Sequence, residues 1–509
     1  MRVLLCLALA ALAVHARANG PEWPNVLFVA VDDLNDWVGC LGGHPQAHTP
    51  NIDRLANRGV LFTNAHCASP ACNPSRAIVF SGTMPWKTGV WSNKSKKLFQ
   101  QHPEITVIPR AFSDAGYITL GTGKLMHSSG TANRVMFDQH FNPEQRWSPF
   151  TREQVRYNKQ ELPSKGTDDP RHVVREGREP VVLPLNHMPS DRKPQSAEGE
   201  SFDWGPLDVP DSAMGDTQIT DWAIERLKAG FDGKPFFLGV GYYRPHIPLF
   251  SPALYFDRFD GINVKLPPFA KNDLDDLSNV AQRWAIEPVT AGRHSTVVKH
   301  GQWDEVVKSY LACTTFVDHQ VGRLLDALDA GQFRDNTVIV FWSDHGWHLG
   351  EKQHWGKWTG WERSTRVPLI VVPPKKHTDD FAKTGSQCGR AVSLVDLYPT
   401  LAELCDVPAP DGLDGQSLVP LLREPSQGTD RAVVTIFDPG NVALRTEQWR
   451  YIRYADGSEE LYDVNVDPNE WTNLSGHPNH ESVLESLRRA APKEAIEPPP
   501  VGSLLLKQP

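Results

Sequence analysis

Short, unbroken runs of apolar and β-branched residues punctuate this chain. Asn25-Val26-Leu27-Phe28-Val29-Ala30-Val31 is the first and stops at Asp32-Asp33. A run without alternation is the pattern of a strand buried on both faces. Pro235-Phe236-Phe237-Leu238-Gly239-Val240 and Thr337-Val338-Ile339-Val340-Phe341-Trp342 repeat it. Between them the period changes to that of helices. Thr49-Pro50-Asn51-Ile52-Asp53-Arg54-Leu55-Ala56 reads as a capped helix stopping at Gly59. Ile219, Trp222, Ala223 and Leu227 share one helical face, as do Val317, Val321, Leu324, Leu325 and Leu328. Helices alternating with short buried strands predict an α/β fold: a large, mostly parallel sheet sandwiched by helices.

Two stretches depart from this rhythm. Residues 140–215 are polar and proline-rich without periodicity, and are read as a substrate-facing insertion. Near 430, Val433–Phe437, Val442–Arg445, Trp449–Tyr454 and Glu460–Val464 follow one another as strands, with Asp456-Gly457 as a hairpin turn. The expected organisation is a leader over 1–18, a main α/β domain over 19–425 carrying the 140–215 insertion, and a smaller antiparallel subdomain over 426–509. Its last twenty residues are proline-rich and expected to be loose. No internal repeat is visible.

Composition narrows the function. The 509 residues are 40% hydrophobic and 22% charged with net charge -9, so nothing advertises nucleic acid or an anionic membrane. A polyanionic substrate would need a local basic pocket. Arg2, the apolar run Val3 to Val14 and Ala16-Arg17-Ala18 form an export signal with its cleavage site. That run is too short for the roughly 20 residues of a membrane span. The chain is therefore expected to be exported, periplasmic or secreted; the short signal is of bacterial form, and a eukaryotic secretory route is also compatible. Of seven cysteines, Cys6 leaves with the leader. Cys40, Cys67, Cys313, Cys388 and Cys405 leave room for one or two disulfides without assigning them.

Candidate chemistry sits at strand ends. Asp32-Asp33 closes the first strand and Ser343-Asp344-His345-Gly346 closes the one at 337–342. Ligands of parallel sheets bind at the carboxyl ends of strands, so both sets can face one crevice. Any one of these acids is as well an N-cap or a turn residue. Together, carboxylates converging from sites so far apart in sequence need a cation, and hard oxygen ligands favour Ca²⁺ or Mg²⁺. His345 alone would hint at a transition metal. Lys124 and His127 in Gly121–His127, His246 between Pro245 and Ile247-Pro248, and Lys357 beyond Asp344 would complete a cationic pocket. A lone surface lysine is solvated and a lone histidine merely hydrogen-bonded; here each follows a strand on one presumed edge.

Cys72-Asn73-Pro74-Ser75-Arg76-Ala77, running into Ile78-Val79-Phe80-Ser81-Gly82, is the most specific motif. Cys-x-Pro-Ser-Arg followed by Ser-Asp-His-Gly-Trp resembles the type I sulfatases of the alkaline phosphatase superfamily, most closely the iduronate-2-sulfatase branch. The resemblance runs from about residue 24 to 475. It implies that Cys72 is oxidised to formylglycine by a formylglycine-generating enzyme, and that the aldehyde hydrate attacks sulfur. It implies one Ca²⁺ (Mg²⁺ being possible) on Asp32, Asp33, Asp344, His345 and the modified Cys72. Arg76 would hold the hydrate, Lys124, His246 and Lys357 the sulfate oxygens, and His127 the hydrate or the sugar. The implied substrate is a sulfated polysaccharide or oligosaccharide, attacked exo, with Trp347, Trp355 and Trp358 available for sugar stacking or for the core. Opposing charges should lower the acids' pKa values and keep the lysines protonated. Phe80-Ser81-Gly82 departs mildly from the family's Leu-Thr-Gly, and the segments that should meet sugar match least. A phosphoester hydrolase on the same scaffold would carry serine or threonine at position 72. A sulfated-glycan binding protein would leave Cys72 unmodified.

Overall fold

The computed structural model describes residues 23–96, 98–127, 135–143, 185–191, 201–375, 380–428, 430–498 and 503, with the backbone of 172–176 and 179–183. The leader expected at 1–18, residues 144–171 and 192–200 of the expected insertion, and 504–509 of the tail lie outside them.

An eight-stranded sheet forms the centre. Its strands are β1 (Asn25–Val31), β2 (Val60–Phe62), β3 (Ile118–Gly123), β4 (Gln139–Phe141), β5 (Phe236–Tyr242), β6 (Thr337–Ser343), β7 (Leu369–Val372) and β8 (Ser386–Cys388). Their spatial order is β8-β2-β7-β6-β1-β5-β3-β4. Every neighbouring pair is parallel except those of β7, which runs against both β6 and β2. The predicted mostly parallel sheet is thus what forms, with one reversed strand inserted beside the centre.

Strand β1 shows why unbroken apolar runs become central strands. Val26, Phe28 and Ala30 point into one core, with Phe80, Phe112, Phe237 and Trp342. Leu27, Val29 and Val31 point into the other, with Val317, Val321 and Leu324. Neither face meets water, so neither needs polar residues, and each buried valine, leucine or phenylalanine side chain contributes about 1.5–3 kcal/mol. The second core is closed by α3 (Gly215–Ala229) and the long α4 (Trp303–Ala330), which carry the two apolar faces read from the sequence. Helix α1 (Pro50–Ala56) ends before Gly59 as expected, but Thr49 is not its side-chain cap. Its Oγ1 accepts the Gly39 N–H, and the Asp318 carboxylate of α4 takes the N–H groups of Asn51 and Ile52 instead.

Strands β9 (Val433–Asp438), β10 (Asn441–Arg445), β11 (Trp449–Arg453) and β12 (Glu459–Asp463) form a separate antiparallel sheet in sequence order. Gly457, at φ +89°, makes the β11–β12 turn and donates its N–H to Tyr454 O. Helix α5 (Glu481–Ala490) and the turn Lys493–Ile496 seat Leu484, Leu487 and Ala495 against this sheet. The room left for disulfides is not used: Cys40, Cys67, Cys72, Cys313, Cys388 and Cys405 are all free thiols. Among the described residues no helix is long and apolar enough to cross a membrane.

Candidate active site

Strand register brings the acidic strand ends together. β1 and β6 are parallel neighbours with Val31 opposite Ser343, so Asp32-Asp33 and Asp344-His345 leave the sheet side by side. The Asp33 N–H donates to Asp344 Oδ1 (3.2 Å) and the Leu34 N–H to Ser343 Oγ (3.0 Å). Asp33 itself is held at φ +59°, a conformation non-glycine residues adopt only where their surroundings enforce it. Tyr310 on α4 supplies part of that enforcement, donating its hydroxyl to Asp33 O (2.8 Å) and accepting the Asn35 N–H (2.9 Å).

Cys72 is the first residue of helix α2 (Cys72–Ser81) and Arg76 lies one turn on, so both face the strand ends. Arg76 Nε donates to Asp344 Oδ2 at 2.7 Å, its Nη2 lies 3.5 Å from Asp32 Oδ1, and Nη1 reaches the carbonyls of Lys124 and Leu125. Ser75 Oγ donates to the Asp344 carbonyl at 2.5 Å. These bonds lock α2 onto the end of β6.

The predicted cations converge on the same point. Lys124 follows β3, where its N–H donates to Gly241 O on β5. A Cβ on Gly123 would stand 2.1 Å from that carbonyl, and one on Gly241 would stand 2.2 Å from Lys124 O, so only glycine fits either place. Lys124 Nζ pairs with Asp32 and lies 3.5 Å from Cys72 Sγ. Lys357 Nζ is 2.7 Å from Asp33 Oδ1, 2.9 Å from Cys72 Sγ and 3.4 Å from His345 Nε2. His127 is near enough to Cys72 for each to shift the other's ionisation, and its Nδ1 is buried without a hydrogen bond. His246 Nε2 lies 3.8 Å from Asp33 Oδ2, and its Nδ1–H donates to Ile247 O at 2.5 Å. The residues read from the sequence as nucleophile, metal ligands and cations are therefore in one cluster.

The charges perturb one another strongly. Burial would raise the Cys72 thiol, yet Lys124, Lys357 and His345 outweigh it and hold it well below its usual range. Asp32 is lowered for the same reason: burial and Cys72 oppose ionisation, while Lys124, His246 and Arg76 prevail. Lys357 is raised despite burial by Asp33 and Cys72. Asp344 goes against expectation. Burial raises it, and Arg76 offsets only part of that effect.

The donor set fits a cation. One ligand atom from each of Asp32, Asp33, Cys72 and His345 lies within 4.8 Å of the others. Asp344 stands beside them, its Oδ1 3.6 Å from His345 Nε2. Asp33 Oδ2 is buried without a hydrogen bond, the mark of an oxygen kept for another partner. His345 Nδ1 faces Gly346 O at 3.0 Å, which places the proton there and turns Nε2 toward the carboxylates. Asp32, Asp33 and Asp344 balance Arg76, Lys124 and Lys357, so a divalent ion would leave the site positive and suited to an anionic ester.

Trp347, Trp355 and Trp358 are core residues at 1%, 3% and 3% exposure and offer no face for sugar stacking. Besides Tyr310, sequence reasoning missed how His246 is held. Asp216, raised to about 6 by burial, accepts the N–H groups of Tyr243 (2.8 Å) and Arg244 (2.9 Å). Buried Arg244 in turn donates to Phe250 O (2.6 Å) and His246 O (3.1 Å). Asp216-Thr217 fits the family resemblance in sequence, but nothing local to it shows that its carboxylate holds the His246 loop.

Comparison with known proteins agrees with this geometry. The sulfatase family model matches residues 24–407, and the model of the N-sulphoglucosamine sulphohydrolase C-terminal region matches 350–495. A sulfatase of Formosa agariphila is 34% identical over 92% of this chain and 86% of its own length. Human iduronate 2-sulfatase is 30% identical over 79% of this chain and 72% of its own. The solved phosphonate monoester hydrolase of Agrobacterium radiobacter, at 21% identity, superposes with a TM-score of 0.69 over 93% of this chain and 97% of that one. That last likeness concerns the fold alone.

Proposed function

Because the chain belongs to the sulfatase family and is a sulfuric ester hydrolase, we propose that it removes sulfate from a sugar residue of a sulfated polysaccharide or oligosaccharide, acting exo in the manner of an iduronate-2-sulfatase. The observation that carries this reading is the surroundings of Cys72. A thiol at a helix start, 2.9 Å from one lysine and 3.5 Å from another and beside three buried carboxylates, is built to hold an anion. A plain thiolate attacking sulfate would be left with no easy exit, whereas formylglycine at this position, made by a formylglycine-generating enzyme, would supply a hydroxyl nucleophile. Asp32, Asp33, Asp344, His345 and residue 72 would hold one Ca²⁺ or Mg²⁺, which when bound offsets charge on sulfate.

The remaining work falls to side chains. Lys124 and Lys357 bind sulfate oxygens, with Asp32 and Asp33 fixing both ammonium groups. Arg76 holds the nucleophile's position through its bond to Asp344. His246, with Nδ1–H committed to Ile247 O, presents Nε2 to the leaving sugar oxygen and as imidazolium donates its proton there. His127 orients the nucleophile or the sugar. Sulfuryl transfer gathers negative charge on oxygens, and preset cations stabilise that charge without reorganising.

The proposal extends to an exported protein, periplasmic or secreted, in which 19–425 carries the site and 426–509 supports it. A phosphoester hydrolase is disfavoured by cysteine at the nucleophile position and a single cluster of metal-type ligands among the described residues. Matured protein should be assayed on 2-O-, 4-O-, 6-O- and N-sulfated sugars alongside phosphate monoesters. Turnover of a sulfated sugar alone supports the proposal, and turnover of phosphate esters alone overturns it.

A further inference from the structure

The segment that delivers Lys357 is a small hairpin pairing His348–Leu349 with Trp355–Gly356. Its tip adopts a conformation that its residues disfavour. Lys352 (φ +55°), Gln353 (φ +53°) and, just past Lys357, Trp358 (φ +77°) all lie in the left-handed region, and none is glycine. Non-glycine residues stay there only where neighbouring contacts over-determine them. So much strain on both sides of one functional side chain calls for a source of restraint.

Lys352 supplies it. Lys352 is 2% exposed, and its contacts are with residues outside the cation cluster. Its Nζ donates to Asp273 Oδ1 at 2.6 Å and to the backbone carbonyl of Glu470. It also lies 5.8 Å from the Trp361 ring centre and 5.2 Å from that of Tyr462 on β12. The hairpin tip is thus pinned under the antiparallel sheet. From the tip the constraint passes on through His354, whose ring sits 3.0 Å from both Ala285 O and Lys357 O. Beyond Lys357 the Trp358 N–H donates to Pro70 O at 3.1 Å, which ties the segment to the approach of α2. Lys357 is therefore stretched between two anchored points, one on the C-terminal sheet and one beside the nucleophile.

We propose that Lys352 is a positioning residue for Lys357, so that β12 and the segment ending at Glu470 complete the active site without touching substrate. The proposal rests on the sulfate-binding role given to Lys357 above. A misplacement of about 1 Å at a reacting centre can cost 10²-fold in rate, and Lys352 is the tip's link to the antiparallel sheet, beside Glu351, which accepts the Leu349 N–H at 2.7 Å and pairs with Arg363 at 3.1 Å.

The test uses the full-length, matured protein with 4-nitrophenyl sulfate as the probe substrate, comparing wild type, Lys352→Met, Lys352→Arg, Lys357→Met and the Lys352→Met/Lys357→Met double variant. Hydrogen exchange is read in parallel over 350–361 and over 433–463. The expected result is a kcat lowered about 10- to 100-fold in Lys352→Met, partial recovery in Lys352→Arg, and little further loss when Lys352→Met is added to Lys357→Met. Exchange should accelerate over 350–361 and stay unchanged over 433–463. Unchanged kcat in Lys352→Met, additive losses in the double variant, or exchange loosening equally across 433–463 would overturn it. Should wild-type protein turn over no sulfate ester at all, the functional reading fails, and the exchange comparison still decides whether Lys352 holds the hairpin.

Discussion

The Lys357 ammonium stands 2.9 Å from the Cys72 sulfur, closer than Lys124 at 3.5 Å. Asp33 fixes it there from the other side at 2.7 Å. Lys357→Met is therefore expected to lower kcat for a sulfate ester by about 10²–10³-fold, the cost of losing one preset charge at a transition state. Steady-state kinetics at saturating Ca²⁺ check this, and a loss below about threefold would remove Lys357 from the reaction.

Metal should be felt as stability. Three buried carboxylates in one cluster are costly, and an ion that binds only the folded state offsets that cost. Ca²⁺ at about 100 times its Kd adds about 2.7 kcal/mol to unfolding free energy. Stripping metal with a chelator should lower the melting temperature, Ca²⁺ should restore it, and Asp33→Asn should abolish the response. Equal melting temperatures with and without chelator would contradict the cation site.

Asp318 gives a pH signature remote from the site. Burial raises it from its usual 3.8 to about 6, even though it accepts the N–H groups of α1. The folded state thus binds this proton more tightly than the unfolded one. The resulting stability, about 3 kcal/mol from the shift, is fully present below pH 4 and lost as pH rises through 6. Urea midpoints of wild type should therefore fall relative to Asp318→Asn between pH 4 and 7; a pH-independent difference would refute the assignment.

Glu460 is the hub between the hairpin region and the antiparallel sheet. Its buried carboxylate accepts Trp361 Nε1–H at 2.8 Å and the hydroxyls of Tyr454 at 2.7 Å and Tyr462 at 2.8 Å. Glu460→Ala leaves three buried donors unmatched and should cost about 3 kcal/mol or more in denaturant unfolding. A cost under 1 kcal/mol would mean that water or repacking replaces it.

The central strands and the cluster were legible for one reason. Strands buried on both faces cannot hide their composition, and in a parallel sheet whatever follows such a strand stands at the ligand-binding edge. Asp32, Lys124, His246 and Asp344 were all found this way. Strand β7 escaped, although Leu369-Ile370-Val371-Val372 is apolar, because four residues close to a proline carry no direction and nothing local shows an antiparallel insertion. The holds on the site were also invisible. Tyr310 to Asp33, Asp216 to the Tyr243-Arg244 backbone and Lys352 to Glu470 link residues far apart in sequence, and each residue type is ordinary where it stands. Of the two roles open to the tryptophans near Lys357, sugar stacking and core packing, burial selects the core beneath the hairpin.

The central claim is that residue 72 acts as formylglycine, and mass spectrometry of the tryptic peptide Gly59–Arg76 from protein made in its native host or with a formylglycine-generating partner tests it most directly. A loss of about 18 Da at position 72, with Cys67 in the same peptide still alkylatable as an internal control, is the result this account predicts. An intact thiol at Cys72 in protein that hydrolyses sulfate esters would contradict it.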